Sequence, residues 1–209
     1  MSLKKQIIEY LITTYNPEAI ITYGSYADGT ANANSDFDAL IVANSSKIHD
    51  ESVVSGITLD VFIYPTEIDI ENIDADNFIQ IHDGKIELDK NGIASRLKEK
   101  VLNYIENIPF KSETEIHQEI EWCKKMALRT KRDDVEGYFR WHWLLMDSLE
   151  IYFDIIQERY WGPKKSLLKL RERDSEAYKI YGAALRNFNQ ETLSDWIDYI
   201  EKSFSVNEQ

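Results

Sequence analysis

The chain has 209 residues, of which 43% are hydrophobic, and its formal net charge is −13 at pH 7. This length suffices for two modest domains, and so acidic a chain repels a phosphate backbone, so we do not expect long nucleic acid as a substrate. The single cysteine excludes a disulfide framework, and no apolar run approaches the ~20 residues of a bilayer span, so we expect a cytoplasmic protein without membrane contact.

The first predicted elements are a helix and a strand. Apolar residues at helical spacing predict a helix over residues 3–15 that ends at Asn16. The β-branched run Ala19–Tyr23 then predicts a strand. Gly24 permits a turn without a Cβ penalty, and Ser25 is suited to begin a helix. Such a strand-to-helix corner favours the binding of a phosphate group.

Three aspartates fall in the next two predicted strands. Asp36 and Asp38 lie two residues apart on a strand that continues through Val42, so we expect both carboxylates on one face. Asp60 lies in the β-rich run 56–64, among apolar neighbours. Adjacent like charges need a neutralising cation, and Mg²⁺ prefers oxygen ligands. A phosphate site beside converging carboxylates predicts the handling of a nucleoside triphosphate, with two metal ions.

A loop histidine, His49, lies between these strands, and we interpret it as exposed and without a catalytic role. The remaining elements predicted in this half are a short helix capped by Thr66, a strand pair at 78–81 and 85–88 about the turn Asp83-Gly84, and a helix at 93–108. Pro109 marks the predicted domain boundary. Residues 1–108 therefore predict an α+β domain, a mixed sheet with flanking helices.

Residues 109–209 contain no credible strand and predict an all-α helical bundle. The expected helices cover 113–129, 135–161, 166–173, 175–188 and 191–204. Gly162-Pro163 is expected to end the longest of them. The excess of acidic residues is concentrated in residues 1–108, which contain 18 Asp and Glu but only 8 Lys and Arg.

The set Gly24-Ser25, a ten-residue spacer, Asp36-Phe37-Asp38 and the later Asp60 resembles the DNA polymerase beta-like nucleotidyltransferase superfamily. The small size and helical second half are most similar to the antibiotic nucleotidyltransferases of the kanamycin and lincosamide kind. This resemblance implies Mg²⁺-dependent transfer of a nucleoside monophosphate from a triphosphate, expected to be ATP, to an acceptor hydroxyl, with release of pyrophosphate. It also implies a role in antibiotic resistance.

The resemblance assigns roles to residues that match the motif. It implies triphosphate binding by Gly24, Ser25 and Ser35, and catalysis and metal binding by Asp36, Asp38 and Asp60, the last as third ligand or general base. Many members carry a basic residue shortly after the Gly-Ser, whereas Tyr26, Ala27 and Asp28 follow here.

Lys164 and Lys165, directly after Gly162-Pro163, are therefore our candidates for contacting the phosphates, although a basic loop in solvent explains them as well.

Four residues of the helical half are candidate acceptor contacts. Arg140 and His142 are difficult to bury without partners. Asp147 and Glu150 lie on one helical stripe, where a carboxylate would act as the base for an acceptor hydroxyl, hold an acceptor amine or form ordinary surface ion pairs. The negative net charge of the chain would attract a small cationic acceptor such as an aminoglycoside, but the charge is equally explained by the need to keep the protein soluble.

Two other functions remain open from the sequence. One is a protein-modifying, AMP-transferring enzyme of the toxin–antitoxin type. The other is a nucleotide-binding protein without catalysis, against which the presence of all three aspartates argues. A homodimer is compatible with the resemblance.

Overall fold

Within residues 2–207, which the computed structural model describes, the chain forms eight α-helices, six β-strands and one 3₁₀ helix. Their bounds are α1 Leu3–Tyr15, β1 Ala19–Thr22, α2 Ser25–Asp28, β2 Phe37–Val42, β3 His49–Asp50, β4 Val53–Val54, β5 Ile57–Tyr64, the 3₁₀ helix Ala75–Ile81, β6 Lys85–Asp89, α3 Ile93–Asn107, α4 Glu113–Arg129, α5 Val135–Ile155, α6 Gly162–Arg173, α7 Ser175–Arg186 and α8 Gln190–Asn207. The predicted α+β class is confirmed.

All strands belong to the first of two compact units, Met1–Ile108 and Pro109–Gln209. The sheet order is β3-β5-β2-β1-β6, and β4 pairs with β5. Neighbouring strands run antiparallel except β2 and β5, which are parallel and pair Asp38 with Asp60. This single parallel pair brings the second and third aspartates of the motif together.

Helices cover both faces of the sheet. Ile7 and Leu11 of α1 pack on one face with apolar strand residues such as Phe37. On the other face, Phe78 of the 3₁₀ helix and Leu97 of α3 belong to a second buried cluster. The central strands β1 and β2 are buried almost throughout because both faces are covered there.

The short strand β3 is held by the buried side chain of Asp50. Its carboxylate accepts hydrogen bonds from the hydroxyl of Tyr15 at 2.6 Å, the ammonium of Lys47 at 2.6 Å and the amide of Ser52 at 3.1 Å. Burial alone would raise the pKa of Asp50, but these donors outweigh it and hold the pKa well below its usual value. A strand of two residues thus has a fixed position.

Two predictions in the first unit are wrong. Residues 78–81 lie in the 3₁₀ helix rather than in a strand, because Asp74 caps that helix through the amide of Asp76 and the apolar side chains pack inward. β6 is therefore not half of a hairpin and pairs with β1 instead. Thr66 caps no helix, since residues 66–70 form turns and irregular backbone.

A third wrong prediction concerns α5, which ends at Ile155 instead of continuing to residue 161. Gln157 adopts a left-handed conformation (φ 52°), which stops the helix. Gly162-Pro163 does not end α5 but opens α6, where proline in the first turn needs no amide partner.

The second unit is a helical bundle around α5 and α8. Its core contains the fully buried Trp196, whose indole donates a hydrogen bond to Ser148 at 2.9 Å. Asp174 caps α7 and accepts hydrogen bonds from Tyr152 at 2.7 Å and Tyr199 at 2.8 Å. Over residues 2–207, no helix combines the length and apolar character needed to cross a membrane.

The Asp50 contacts predict an acid-sensitive contribution to stability. We expect Asp50→Asn to lower the free energy of unfolding by about 2 kcal/mol, because charge-assisted hydrogen bonds are lost. The folded pKa is below the unfolded one, so the contribution is present above the normal aspartate pKa and fades as pH falls below about 4. Urea unfolding between pH 7 and 3 measures both effects.

The exposed substitution Glu67→Gln serves as the control and should change neither quantity measurably. A variant of Asp50 as stable as the parent at pH 7 would contradict the role given to this carboxylate.

Candidate active site

The Gly24-Ser25 corner is built around a glycine that no other residue replaces without strain. Gly24 has φ 62° and ψ −151° and is the N-cap of α2. A Cβ atom added to Gly24 would lie 2.3 Å from Oδ2 of Asp38. The glycine therefore permits both the turn and the close approach of the Asp38 carboxylate.

Asp38 and Asp60 face each other across the parallel pair of β2 and β5. Both residues are half-buried. Tyr23, which directly follows the buried strand β1, lies near both carboxylates: burial first, then the charges of Asp60 and Asp38, raise the pKa of its hydroxyl. The result is two neighbouring carboxylates beside a neutral phenol, at the same edge as Gly24.

The structure corrects our interpretation of His49. Its Nε2 atom lies 2.6 Å from Oδ1 of Asp60, and its ring stacks on Phe62 with centroids 4.5 Å apart and planes 18° from parallel. The contact arises because β3 pairs antiparallel with β5. A strand of two residues carries no periodic signal, so the sequence did not indicate this partner.

Asp36 is placed differently from the other two aspartates. It is exposed and precedes β2, which begins at Phe37, so the expectation of two aspartates on one face of a strand is not met. Among residues 2–207, no group of three histidine, cysteine or acidic side chains is arranged to hold a metal ion. Asp38 and Asp60 are partners in the sheet, whereas Asp36 lies in the loop before it.

The donor chemistry of this pair nevertheless fits a divalent cation. Carboxylate oxygens are the ligands that Mg²⁺ prefers, and an ion usually keeps several waters beside one or two carboxylates. Gly24 leaves Oδ2 of Asp38 room that a side chain would fill. Asp38 and Asp60 are thus the residues that would hold such an ion.

The predicted phosphate contacts lie in both units. Gly24 and Ser25 form the corner, and Ser35 accepts a hydrogen bond from the amide of Asn32 at 3.0 Å in the following loop. Lys164 and Lys165 occupy the first turn of α6, in the second unit. Their contact with phosphate stays a prediction.

Two of the four predicted acceptor residues share a cavity. Asp147 and Glu150 line a cavity of about 600 Å³ in the second unit. The sequence analysis did not identify the other lining residues, which are Lys111, Glu115, Gln118, Glu119, Trp122 and Ile151. Arg140 and His142 are not among these residues. Arg140 pairs with Glu136 one turn away, and the ring of His142 lies 5.8 Å from that of Phe188.

The electrostatics of this cavity are those of an acidic site. Four carboxylates line it, and its one lysine, Lys111, is already paired with Glu119 and, at 2.8 Å, with Asp154 outside the lining. Burial, and next the charge of Asp154, raise the pKa of Glu150. Trp122 contributes an aromatic wall and packs edge-on against Trp143 at 5.7 Å. Such a cavity favours a cation.

Comparison with known proteins supplies the family. The sequence model of the nucleotidyltransferase domain family matches residues 4–126, more than half of the chain. A solved structure of a nucleotidyltransferase-like protein from Exiguobacterium sibiricum 255-15 is similar over 97% of this chain and 73% of that chain, at 12% identity and a TM-score of 0.42. No curated protein is similar enough in sequence to count as a relative. The chain belongs to the nucleotidyltransferase domain family, and it is a nucleotidyltransferase.

Proposed function

We propose that this nucleotidyltransferase moves a nucleoside monophosphate from ATP to a hydroxyl group of a small cationic acceptor, such as an aminoglycoside antibiotic, with Mg²⁺. The observation that carries the reaction is the placement of Asp38 opposite Asp60, next to the Gly24 corner. Two carboxylates beside a strand-to-helix turn match the needs of phosphoryl chemistry, which are positioning and charge neutralisation.

In the proposed reaction, the acceptor oxygen forms a bond to the α-phosphorus while the bond from that phosphorus to the pyrophosphate oxygen breaks. The acceptor hydroxyl gives its proton to a carboxylate, for which we propose Asp60. Gly24 and Ser25 orient the triphosphate at the turn. When bound, Mg²⁺ would neutralise charge on the phosphate oxygens; Asp38 would hold the ion, with Asp60 as a second ligand where it does not act as the base.

The acidic cavity of the second unit supports a cationic acceptor. Its carboxylates outnumber its lysine four to one, and the lysine is already neutralised. Amino groups of an acceptor would pair with Asp147 and Glu150, and sugar-like rings would pack on Trp122. Acceptor recognition by this cavity is part of the proposal.

Removal of the Asp38 charge is the direct test. We expect Asp38→Asn to reduce transfer on the order of 10³-fold, because several kcal/mol of charge stabilisation are lost. Pyrophosphate release with ATP and Mg²⁺, measured against a panel of aminoglycosides and lincosamides, reports the change. The circular dichroism spectrum should be unchanged, and the exposed variant Asp69→Asn should keep full activity. Full activity in Asp38→Asn would rule out the proposed reaction.

The Gly24 corner yields a second test. Gly24→Ala places a methyl group 2.3 Å from Oδ2 of Asp38 and must displace that carboxylate, so we expect a loss of transfer close to that of Asp38→Asn. Gly92→Ala is the matched control: Gly92 also has positive φ, at 70°, but no atom lies within 4 Å of its added Cβ. Gly92 lies in the left-handed helical region, where alanine costs about 1 kcal/mol, whereas Gly24 lies in a region essentially restricted to glycine, where alanine costs about 1–3 kcal/mol. Equal activities of the two would show that the Asp38 contact is unimportant.

The cavity yields a third test. We expect Asp147→Asn and Glu150→Gln each to raise KM for a cationic acceptor about tenfold, which corresponds to one lost ion pair. The KM for ATP should stay within about twofold. Asp195→Asn, an exposed neutralisation in the same unit, controls for net charge. An unchanged acceptor KM in both cavity variants would move the acceptor site elsewhere.

A further inference from the structure

The side chain of Asp60 is held in one orientation by a neighbour outside the family motif. Its Oδ1 atom lies 2.6 Å from Nε2 of His49. Because an ionised carboxylate can only accept hydrogen bonds, this contact requires the ring tautomer that carries its hydrogen on Nε2. Among the residues that the structure describes, no side chain donates a hydrogen bond to the other oxygen of Asp60, Oδ2. One oxygen is therefore engaged, and the other remains for a ligand.

The histidine itself is fixed from two sides. Its ring lies flat against Phe62, the residue it faces in the ladder between β3 and β5. The next residue, Asp50, is fully buried and holds the strand through Tyr15, Lys47 and Ser52. The ring is 31% exposed, and the Asp60 side chain is 43% exposed. Because both side chains are partly exposed, one hydrogen bond alone would not fix the side chain of Asp60. The anchored backbone of β3 and the stacking on Phe62 hold the His49 ring in place, and the fixed ring then orients the aspartate.

We propose that His49 is the positioning residue of the catalytic site: it engages Oδ1 of Asp60 and presents Oδ2 to the metal ion or to the acceptor hydroxyl. The inference rests on the proposed function, because Asp60 needs orientation only if it handles an ion or a proton. Groups that orient a metal-binding carboxylate commonly contribute about 10- to 100-fold to affinity or activity.

Glu51 is the other acidic neighbour of the ring, and its contribution is small. Its Oε2 atom lies 3.7 Å from Nδ1 of His49, beyond hydrogen-bond distance, and its side chain is 76% exposed. Glu51→Gln therefore serves as a control that changes charge beside the histidine without touching Asp60.

Two substitutions separate the hydrogen bond from the packing. His49→Phe keeps an aromatic ring to stack on Phe62 and removes the donor. His49→Gln loses the ring but places an amide nitrogen near the position of Nε2. The measurements are kcat and KM for transfer, the affinity for Mn²⁺ alone by electron paramagnetic resonance, and the melting temperature.

We expect His49→Phe to melt close to the parent, to lower kcat about 10- to 100-fold with KM for ATP within about threefold, and to weaken Mn²⁺ binding about tenfold. His49→Gln should recover most of both losses although it packs less well. A purely structural histidine would give the opposite order, because phenylalanine preserves the packing better than glutamine.

The outcomes separate this inference from the proposed function. Transfer in the parent together with parent-like kcat and Mn²⁺ affinity in His49→Phe would overturn the role of His49 and leave the reaction intact. A higher kcat in His49→Phe than in His49→Gln would overturn the role of His49 as well. If the parent itself neither transfers a nucleotide nor binds Mn²⁺, the proposed function fails, and the inference falls with it.

Discussion

The candidate site depends on the register between two parallel strands. Because Asp38 pairs with Asp60 in that register, their carboxylates leave the same side of the sheet on neighbouring strands, about 5 Å apart in backbone spacing. A slip of one residue would turn one of the two side chains to the opposite face. The apolar residues that follow Asp38 are buried on both faces and fix this register. The packing of the core therefore also determines the relative position of the two carboxylates.

Placing two carboxylates side by side has an electrostatic cost, and the surroundings reduce it in different ways. His49 donates a hydrogen bond to one oxygen of Asp60, whereas the Asp38 carboxylate lies against the Gly24 turn. Tyr23 stays a neutral phenol near both carboxylates, because burial and the two charges raise its pKa. The proposed Mg²⁺ would neutralise the remaining negative charge of the pair, so the repulsion between the two carboxylates would favour its binding.

Features determined by neighbouring residues could be predicted from the sequence, and features determined by distant packing could not. The Gly24 corner, the strands that carry Asp38 and Asp60, and most helices follow from local pattern and turn chemistry. Phe78 appeared to belong to a strand because its run is apolar, but the Asp74 cap and inward packing make that segment helical. His49 was misinterpreted because its partner lies 11 residues away, and the pairing that joins them depends on the buried Asp50.

The difference between Asp36 and Asp38 follows from where β2 begins. Asp38 is paired with Asp60 on one side, and on the other its carbonyl accepts a hydrogen bond from the amide of Tyr23 at 3.1 Å, so its backbone is fixed before any ligand arrives. Asp36 precedes the strand, and its exposed side chain is positioned by a loop. A carboxylate on a loop loses conformational entropy when it joins a ligand, whereas one on a central strand has already lost it on folding. The sheet therefore provides a preorganised pair, and Asp36 would complete it only at an entropic cost that the binding energy of the ligand must exceed.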